Sequence, residues 1–231
     1  MVMDFVDAKK YPGAVTLIAK NGKIVYESEV GWSDSLRTEP YRKDHLFRLA
    51  SMTKPIVSLA AMQLVEAGKI KLDDPVGNYI PTFKETTILK NFNPADSSWT
   101  SSPSINTPTI RQLLTHTSGV PYGFMSPNVY QIILAKNGIP DLNTFLPMTA
   151  KETMSKVGNI PLAFEPGTRW MYGLNTDVLG RVVEVASGKD LDDYIREKIT
   201  EPLGIKMLDF YFNDSLSNKL TKAFMPTPSS K

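Results

Sequence analysis

The stretch FRLASMTKPIVSLAAMQLVEAG, residues 47–68, decides how the chain is read. Helical periodicity begins near Ser51, with Ile56, Leu59, Ala60, Gln63, Leu64 and Ala67 along one side and Gly68 as the expected stop. No charge occurs between Lys54 and Glu66, so a helix over 51–67 is expected to be buried on most sides. Ser51 and Lys54 stand at i and i+3 at its start, on one face, where the amine can approach the hydroxyl. An alcohol is a poor nucleophile until a base takes its proton. A desolvated lysine can be that base, because burial lowers its pKa toward neutrality. The helix N-terminus adds positive potential and free N–H groups for an oxyanion. Taken alone, a Ser-x-x-Lys match arises about once by chance in a chain this long. Its plain alternative is an N-cap serine with a solvated lysine one turn on. Two features weigh against that alternative: the pair precedes an unusually apolar helix, and Pro55 stands near the first turn, where its missing N–H costs least.

N-terminal to this stretch, residues 13–19 and 23–30 are rich in β-branched residues and flank Lys20-Asn21-Gly22, a strong hairpin signal. On the C-terminal side, Asp74-Pro75 predicts the start of a short helix, and Asp73-Asp74 reads more simply as its cap than as an acid pair. Residues 84–108, rich in Ser, Thr, Asn and Pro, predict a long loop. Thr109 caps a short helix ending near Thr117-Ser118-Gly119, residues 128–136 look helical, and Thr149 with Glu152 forms a capping box that opens another helix. The turn Glu165-Pro166-Gly167-Thr168 delivers Arg169-Trp170-Met171-Tyr172. Helices over about 176–187 and 191–200 follow, stopped by Gly188 and near Pro202. No internal repeat occurs. A lone two-stranded hairpin is marginal in water and leaves both edges unpaired. Something else must complete its sheet, and Leu208-Asp209-Phe210-Tyr211-Phe212 offers one further strand at most.

Composition narrows the function. In 231 residues, 42% hydrophobic and 22% charged, the chain has ordinary globular composition. A net charge of +2 without a basic cluster gives no argument for nucleic acid. With no cysteine, thiol catalysis and disulfides are excluded. Two histidines, His45 and His116, cannot build a His-rich metal site, no carboxylate spacing suggests a hard cation, and no cofactor is expected. No apolar run is long enough to span a membrane, and the N-terminus lacks the apolar core of a signal peptide. A cytoplasmic location is the default; a mature exported protein would read the same.

Tyr172 is the second residue with chemistry, since a phenol near a cationic lysine has its pKa lowered and can exchange protons with nucleophile and leaving group. The alternative is a half-buried tyrosine with its hydroxyl at the surface. His116 would suit a Ser-His-Asp scheme, but no Gly-x-Ser-x-Gly elbow is present, and its place favours a helix-end residue bonded to local backbone.

The order Phe47-Arg48-Leu49-Ala50-Ser51-Met52-Thr53-Lys54-Pro55, then Leu113-Leu114-Thr115-His116-Thr117-Ser118-Gly119, then Phe164-Glu165-Pro166-Gly167-Thr168-Arg169-Trp170-Met171-Tyr172 resembles the serine β-lactamase-like, penicillin-binding-protein-like hydrolases. The branch is that of class C β-lactamases, D-amino-peptidases and family VIII carboxylesterases. The resemblance covers roughly residues 11–205. It implies an α+β fold: an antiparallel sheet flanked by helices, packed against a mostly helical region, with the site between them. Residues 1–50 would hold the hairpin, 51–200 the helical region with both motifs, and 201–231 the start of the return to the sheet. It also implies acyl transfer, with Ser51 attacking an ester or amide carbonyl of a small molecule while Lys54 and Tyr172 move protons. Tyr122 falls where relatives line the acyl pocket, and Trp170 and Asn175, either side of Tyr172, are expected to contact substrate.

Two departures matter. Lactamase-like members have Tyr-x-Asn or Tyr-x-Ser, whereas Leu174 stands at the third position here and Asn175 follows, which favours an esterase. No Lys-Thr-Gly or His/Trp-x-Gly motif follows Tyr172 before the chain stops at Ser229-Ser230-Lys231. The resemblance therefore implies that a C-terminal third of about 150 residues is absent, to be supplied by a second chain or separate piece that completes the sheet. With it goes one oxyanion donor, a loss of about 3 kcal/mol. Three readings stay open: a carboxylesterase, a β-lactamase or D-amino-acid peptidase, and a non-catalytic sensor that keeps only the pocket.

Overall fold

A computed structural model describes residues 2–126, 128–141, 146–211 and 213–224. They form two compact units, Met1–Ala50 with Asp209–Lys231, and Ser51–Leu208.

The first unit opens with helix α1 (Val2–Asp7), followed by strands β1 (Gly13–Lys20) and β2 (Lys23–Gly31). Asn21 and Gly22 both adopt positive φ, 51° and 73°, the pair of left-handed residues that a two-residue type I′ hairpin turn requires. The strands pair antiparallel, with Ile18 opposite Tyr26 and a bulge just after it. Among the described residues the sheet ends there, with two strands. Leu17, Ile18, Ile24, Val25 and Tyr26 are all more than 50% exposed. The run 208–212 adds no strand among the described residues, Phe212 lying outside them. The cause is local: the Asp209 carboxylate accepts the backbone N–H groups of Phe210 (2.7 Å) and Tyr211 (3.3 Å), an Asx-type bend that competes with strand pairing. The return contact comes later, as a parallel bridge between Leu46 and Leu220.

The second unit is built on α2 (Thr53–Glu66) and α6 (Asn175–Ser187). Val57, Ala60, Ala61 and Leu64 of α2 and Val178, Leu179, Val182 and Val183 of α6 belong to one buried cluster. That cluster also takes in Ile110 and Leu113 of α3 (Ile110–Leu114), Ile133 and Leu134 of α4 (Tyr130–Lys136), and Met154 and Val157 of α5 (Ala150–Val157). Helix α2 is not buried on most sides, as its sequence suggested. Leu59 and Met62 are 46% and 42% exposed, and Gln63 turns aside to donate to the Lys198 carbonyl at 3.1 Å. A helix apolar all round carries no moment to say which face meets the core, and the buried face is that of Val57, Ala60, Ala61 and Leu64.

The caps at α3 and α5 are full capping boxes, Thr109 with Gln112 and Thr149 with Glu152. Asp74 does not open an α-helix. A 3₁₀ turn over Val76–Asn78 follows Pro75, and the Asp74 carboxylate instead accepts from Lys71 N–H (2.8 Å) and the Tyr79 hydroxyl (2.7 Å). The expected helix over 191–200 is α7 (Leu191–Ile195) continued by a π turn over Arg196–Thr200.

The largest correction concerns 84–108. It is no loop but a second hairpin, β3 (Thr87–Asn93) with β4 (Ser98–Pro103). Phe92 faces Trp99 across the strands, Ile88 is buried, and Leu162 bridges to Ile88 from outside the hairpin. The Ser, Thr and Asn residues that read as loop are its outward side chains and its turn, where Asn93 and Asp96 accept from Ala95 and Ser98 N–H. Replacing Leu64 by Ala should remove buried contact from the centre of α2 and lower stability by about 2–5 kcal/mol. A fall in the urea midpoint at constant slope would show it; an unchanged midpoint would show that α2 is not the core helix of this unit.

Candidate active site

Ser51 lies in a 3₁₀ turn, Ala50–Met52, that leads directly into α2. Ala50 immediately before it has a φ of 45°, a left-handed value that costs a residue with a Cβ and recurs at functional turns. One turn on, Lys54 Nζ donates to Ser51 Oγ at 3.4 Å. On the other side, Ser51 Oγ lies 2.5 Å from the Tyr172 hydroxyl. Lys54 Nζ also sits 4.7 Å from the centre of the Tyr172 ring and 5.8 Å from that of Tyr122.

Tyr172 reaches this place on an irregular loop laced to residues 116–121. Gly167 N–H donates to the Thr117 carbonyl (2.8 Å), Met171 N–H to that of His116 (2.9 Å) and Ala163 N–H to that of Gly119 (2.9 Å). The Glu165 carboxylate pins the loop's base by accepting from Ser104 Oγ (3.1 Å) and Ile105 N–H (3.1 Å). Gly173 passes so close to the Val120 carbonyl oxygen that any Cβ there would collide with it.

His116 stands at the helix end as expected, and its side chain has a second role. Its N–H bonds the Leu113 carbonyl and Thr117 N–H bonds that of Gln112, which together close α3 as a Schellman motif. His116 occupies the left-handed position, φ 56°, that usually goes to glycine. Its ring has other work: it stacks on Tyr172 at 5.1 Å and 28°, and its Nδ1 accepts from Asn175 Nδ2 at 3.0 Å. Burial first, and then the Lys54 charge, hold the imidazole pKa below 6.5, consistent with a ring that accepts at Nδ1.

Tyr122 and Trp170 flank Tyr172, at 5.5 and 6.5 Å between ring centres. Trp170 is 66% exposed, whereas Tyr122 is buried and donates to Asp177 Oδ2 at 3.3 Å. Burial, and next the Asp177 charge, push the Tyr122 phenol well above its usual range. Tyr172 moves the other way. Desolvation alone would raise it, but hydrogen bonds with Lys54 and Ser51 and the Lys54 charge together bring it below 10.

The structure thus brings Ser51, Lys54 and Tyr172 together, with Tyr122 and Trp170 beside them. Asn175 does not join them, which corrects its expected contact with substrate. It is fully buried, and its amide is spent internally, with Ser118 Oγ donating to Oδ1 at 2.5 Å and Nδ2 donating to His116. Leu174 likewise lies in the core. Sequence reasoning missed Ser118, Asp177 and the contacts of the His116 ring with Asn175 and Tyr172. Their signal was the pairing of His116 and Ser118 with Asn175 and of Tyr122 with Asp177 in the first turn of α6, unreadable until the two segments are placed side by side. Among the described residues Asp190, Asp192 and Asp193 lie close enough to hold a cation, but they are the N-cap and first-turn acids of α7, with Asp193 paired to Arg196. No described helix is long and apolar enough to cross a membrane.

The Beta-lactamase family profile matches residues 1–231. Esterase EstB of Burkholderia gladioli is 38% identical over 204 residues, covering 87% of this chain and 48% of its own. Lovastatin esterase of Penicillium rubens is 34% identical over 213 residues, covering 89% and 50%. Among solved structures, EstCE1, described as a hydrolase with promiscuous acyltransferase activity, superposes with a TM-score of 0.83 at 30% identity, over 98% of this chain and 55% of its own. The chain therefore spans about half the length of the curated relatives it matches.

Asn175→Ala should leave the buried Ser118 hydroxyl proton without its acceptor and His116 Nδ1 without its donor, at a cost of about 1–3 kcal/mol. A thermal melt indistinguishable from that of the unmodified protein would show the Ser118–Asn175–His116 network to be dispensable.

Proposed function

The chain belongs to the beta-lactamase family, and from that premise we propose that it carries the nucleophilic centre of a carboxylesterase-like serine hydrolase. The observation that carries this reading is Ser51 Oγ held at a helix start, 2.5 Å from the Tyr172 hydroxyl and 3.4 Å from Lys54 Nζ. In this reading Ser51 Oγ bonds to the ester carbonyl carbon while its proton passes to the Tyr172 phenolate, the form that the neighbouring Lys54 charge favours. The bond to the alcohol oxygen then breaks as Tyr172 returns the proton to it. Water attacks the acyl-enzyme by the same route, releasing the acid and restoring Ser51. N–H groups at the start of α2 face the developing oxyanion.

Esters are favoured over β-lactams because of what surrounds Tyr172. Leu174 and Asn175 both point into the core, so neither offers a polar group to a substrate amide. The names of EstB and lovastatin esterase agree with that preference. The exposed Trp170 and the aromatic pair Tyr122 and Phe124, 5.0 Å apart, suit an apolar acyl group. An acceptor other than water can take the acyl group from the same acyl-enzyme, and EstCE1 is a hydrolase with promiscuous acyltransferase activity.

The same reading assigns the missing oxyanion donor and sheet strands to a partner outside residues 1–231. Its support is the open hairpin, with five large apolar side chains exposed, in a chain half the length of its relatives. Expressed alone, residues 1–231 should bind a hydrophobic dye and self-associate. A monomer with a cooperative melt and no dye binding would refute the missing-partner proposal.

Ser51→Ala should abolish hydrolysis of a short-chain nitrophenyl ester and fluorophosphonate labelling, with little change in melting temperature. Tyr172→Phe should slow acylation by about two to four orders of magnitude. Full activity in Tyr172→Phe would return the tyrosine to a structural role, and faster turnover of a chromogenic cephalosporin than of the ester would overturn the esterase preference.

A further inference from the structure

Asp177 is a charged group at this site that the proposed chemistry leaves unused. It stands third in α6, two residues after the buried Asn175, and accepts the Tyr122 hydroxyl at 3.3 Å. Tyr122 in turn packs on Tyr172 at 5.5 Å, and Lys54 Nζ lies over both rings. Protein crowds the Asp177 carboxylate, so desolvation raises its pKa above 3.8 against the pull of Lys54, yet the residue as a whole is exposed to solvent. That combination fits a side chain set in a concave surface.

The groups facing it are Lys54 from α2 and Tyr122 and Tyr172 from the loops after α3 and before α6, with Asp141 also acting on Tyr122. A negative charge there disfavours a Tyr172 phenolate, whose pKa the Asp177 charge raises. Lys54 and Ser51 pull Tyr172 down, and Asp177 limits how far.

We propose that Asp177 is a positioning residue of the proton-transfer pair, holding Tyr122 against Tyr172 while its negative charge opposes the phenolate form of Tyr172, the form that takes the Ser51 proton. The proposal rests on the serine-hydrolase reading for the role of that pair. The plainer alternative is an acidic residue in the first turn of a helix, which would serve only α6 stability.

The experiment measures fluorophosphonate labelling of Ser51 against pH on the full 231-residue chain, for the unmodified protein and for Asp177→Asn and Asp177→Glu. Removing the charge should move the rising alkaline limb to lower pH by about one unit, and the glutamate should restore it. Asp177→Ser, a neutral residue suited to a helix first turn, should repeat the shift if the asparagine variant does not fold. A limb that stays in place while the melting temperature falls would overturn the proposal and leave Asp177 a helix-start residue. No labelling of Ser51 in the unmodified protein at any pH would instead defeat the serine-hydrolase reading. Phenolate absorbance, taken as a difference from Tyr172→Phe, then still reads the charge effect: earlier onset of Tyr172 ionisation in Asp177→Asn supports it, and an unchanged onset overturns it.

Discussion

A phenol carried on an irregular loop has to be held within one hydrogen bond of a serine at a helix end, 121 residues away in the chain. Neither partner can achieve this locally. The helix end is stiff, because α2 is anchored by Val57, Ala60, Ala61 and Leu64 in the main cluster. The loop is stiff for a different reason: it borrows backbone hydrogen bonds from residues 116–121, where no regular strand exists to supply them. Gly173 is the point at which that borrowing becomes a steric requirement, since Val120 leaves room for backbone only.

The electrostatics follow from that placement. One cation, Lys54, stands among aromatic rings, where its charge is felt strongly and each neighbour responds by its own chemistry. The Tyr172 phenol moves down, the Tyr122 phenol moves up under burial and Asp177, and His116 is held toward its neutral form. Separating two tyrosines 5.5 Å apart in opposite directions suits the proposed chemistry, in which one exchanges protons while the other stays a fixed donor.

His116 shows how support and site share residues. A Schellman motif wants glycine at its left-handed position, and a histidine there accepts backbone strain. The strain is offset by a ring that both stacks on Tyr172 and completes the Ser118–Asn175 network. A local rule is broken where a tertiary contact needs the side chain.

Much was legible in the sequence because the signals are short-range. The spacing of Ser51 and Lys54, the Asn21-Gly22 turn, the Thr149–Glu152 capping box and the Gly188 stop each act within a few residues, so composition and period reveal them. The ordered motifs also placed Tyr172 with the serine–lysine pair. Other features depend on partners remote in sequence. The hairpin over Thr87–Asn93 and Ser98–Pro103 hid behind polar outward residues, because its inward face is defined by neighbours such as Leu162. The buried face of α2 could not be chosen from a helix apolar on every side. Asn175 looked like a substrate ligand until folding put Ser118 and His116 against its amide. By itself the sequence determined which side chains could do chemistry and which local turns and caps present them, because those depend on covalent neighbours. Only the tertiary structure decided which polar groups are satisfied internally and which remain to act, because burial and hydrogen-bond satisfaction are properties of segments brought together from far apart.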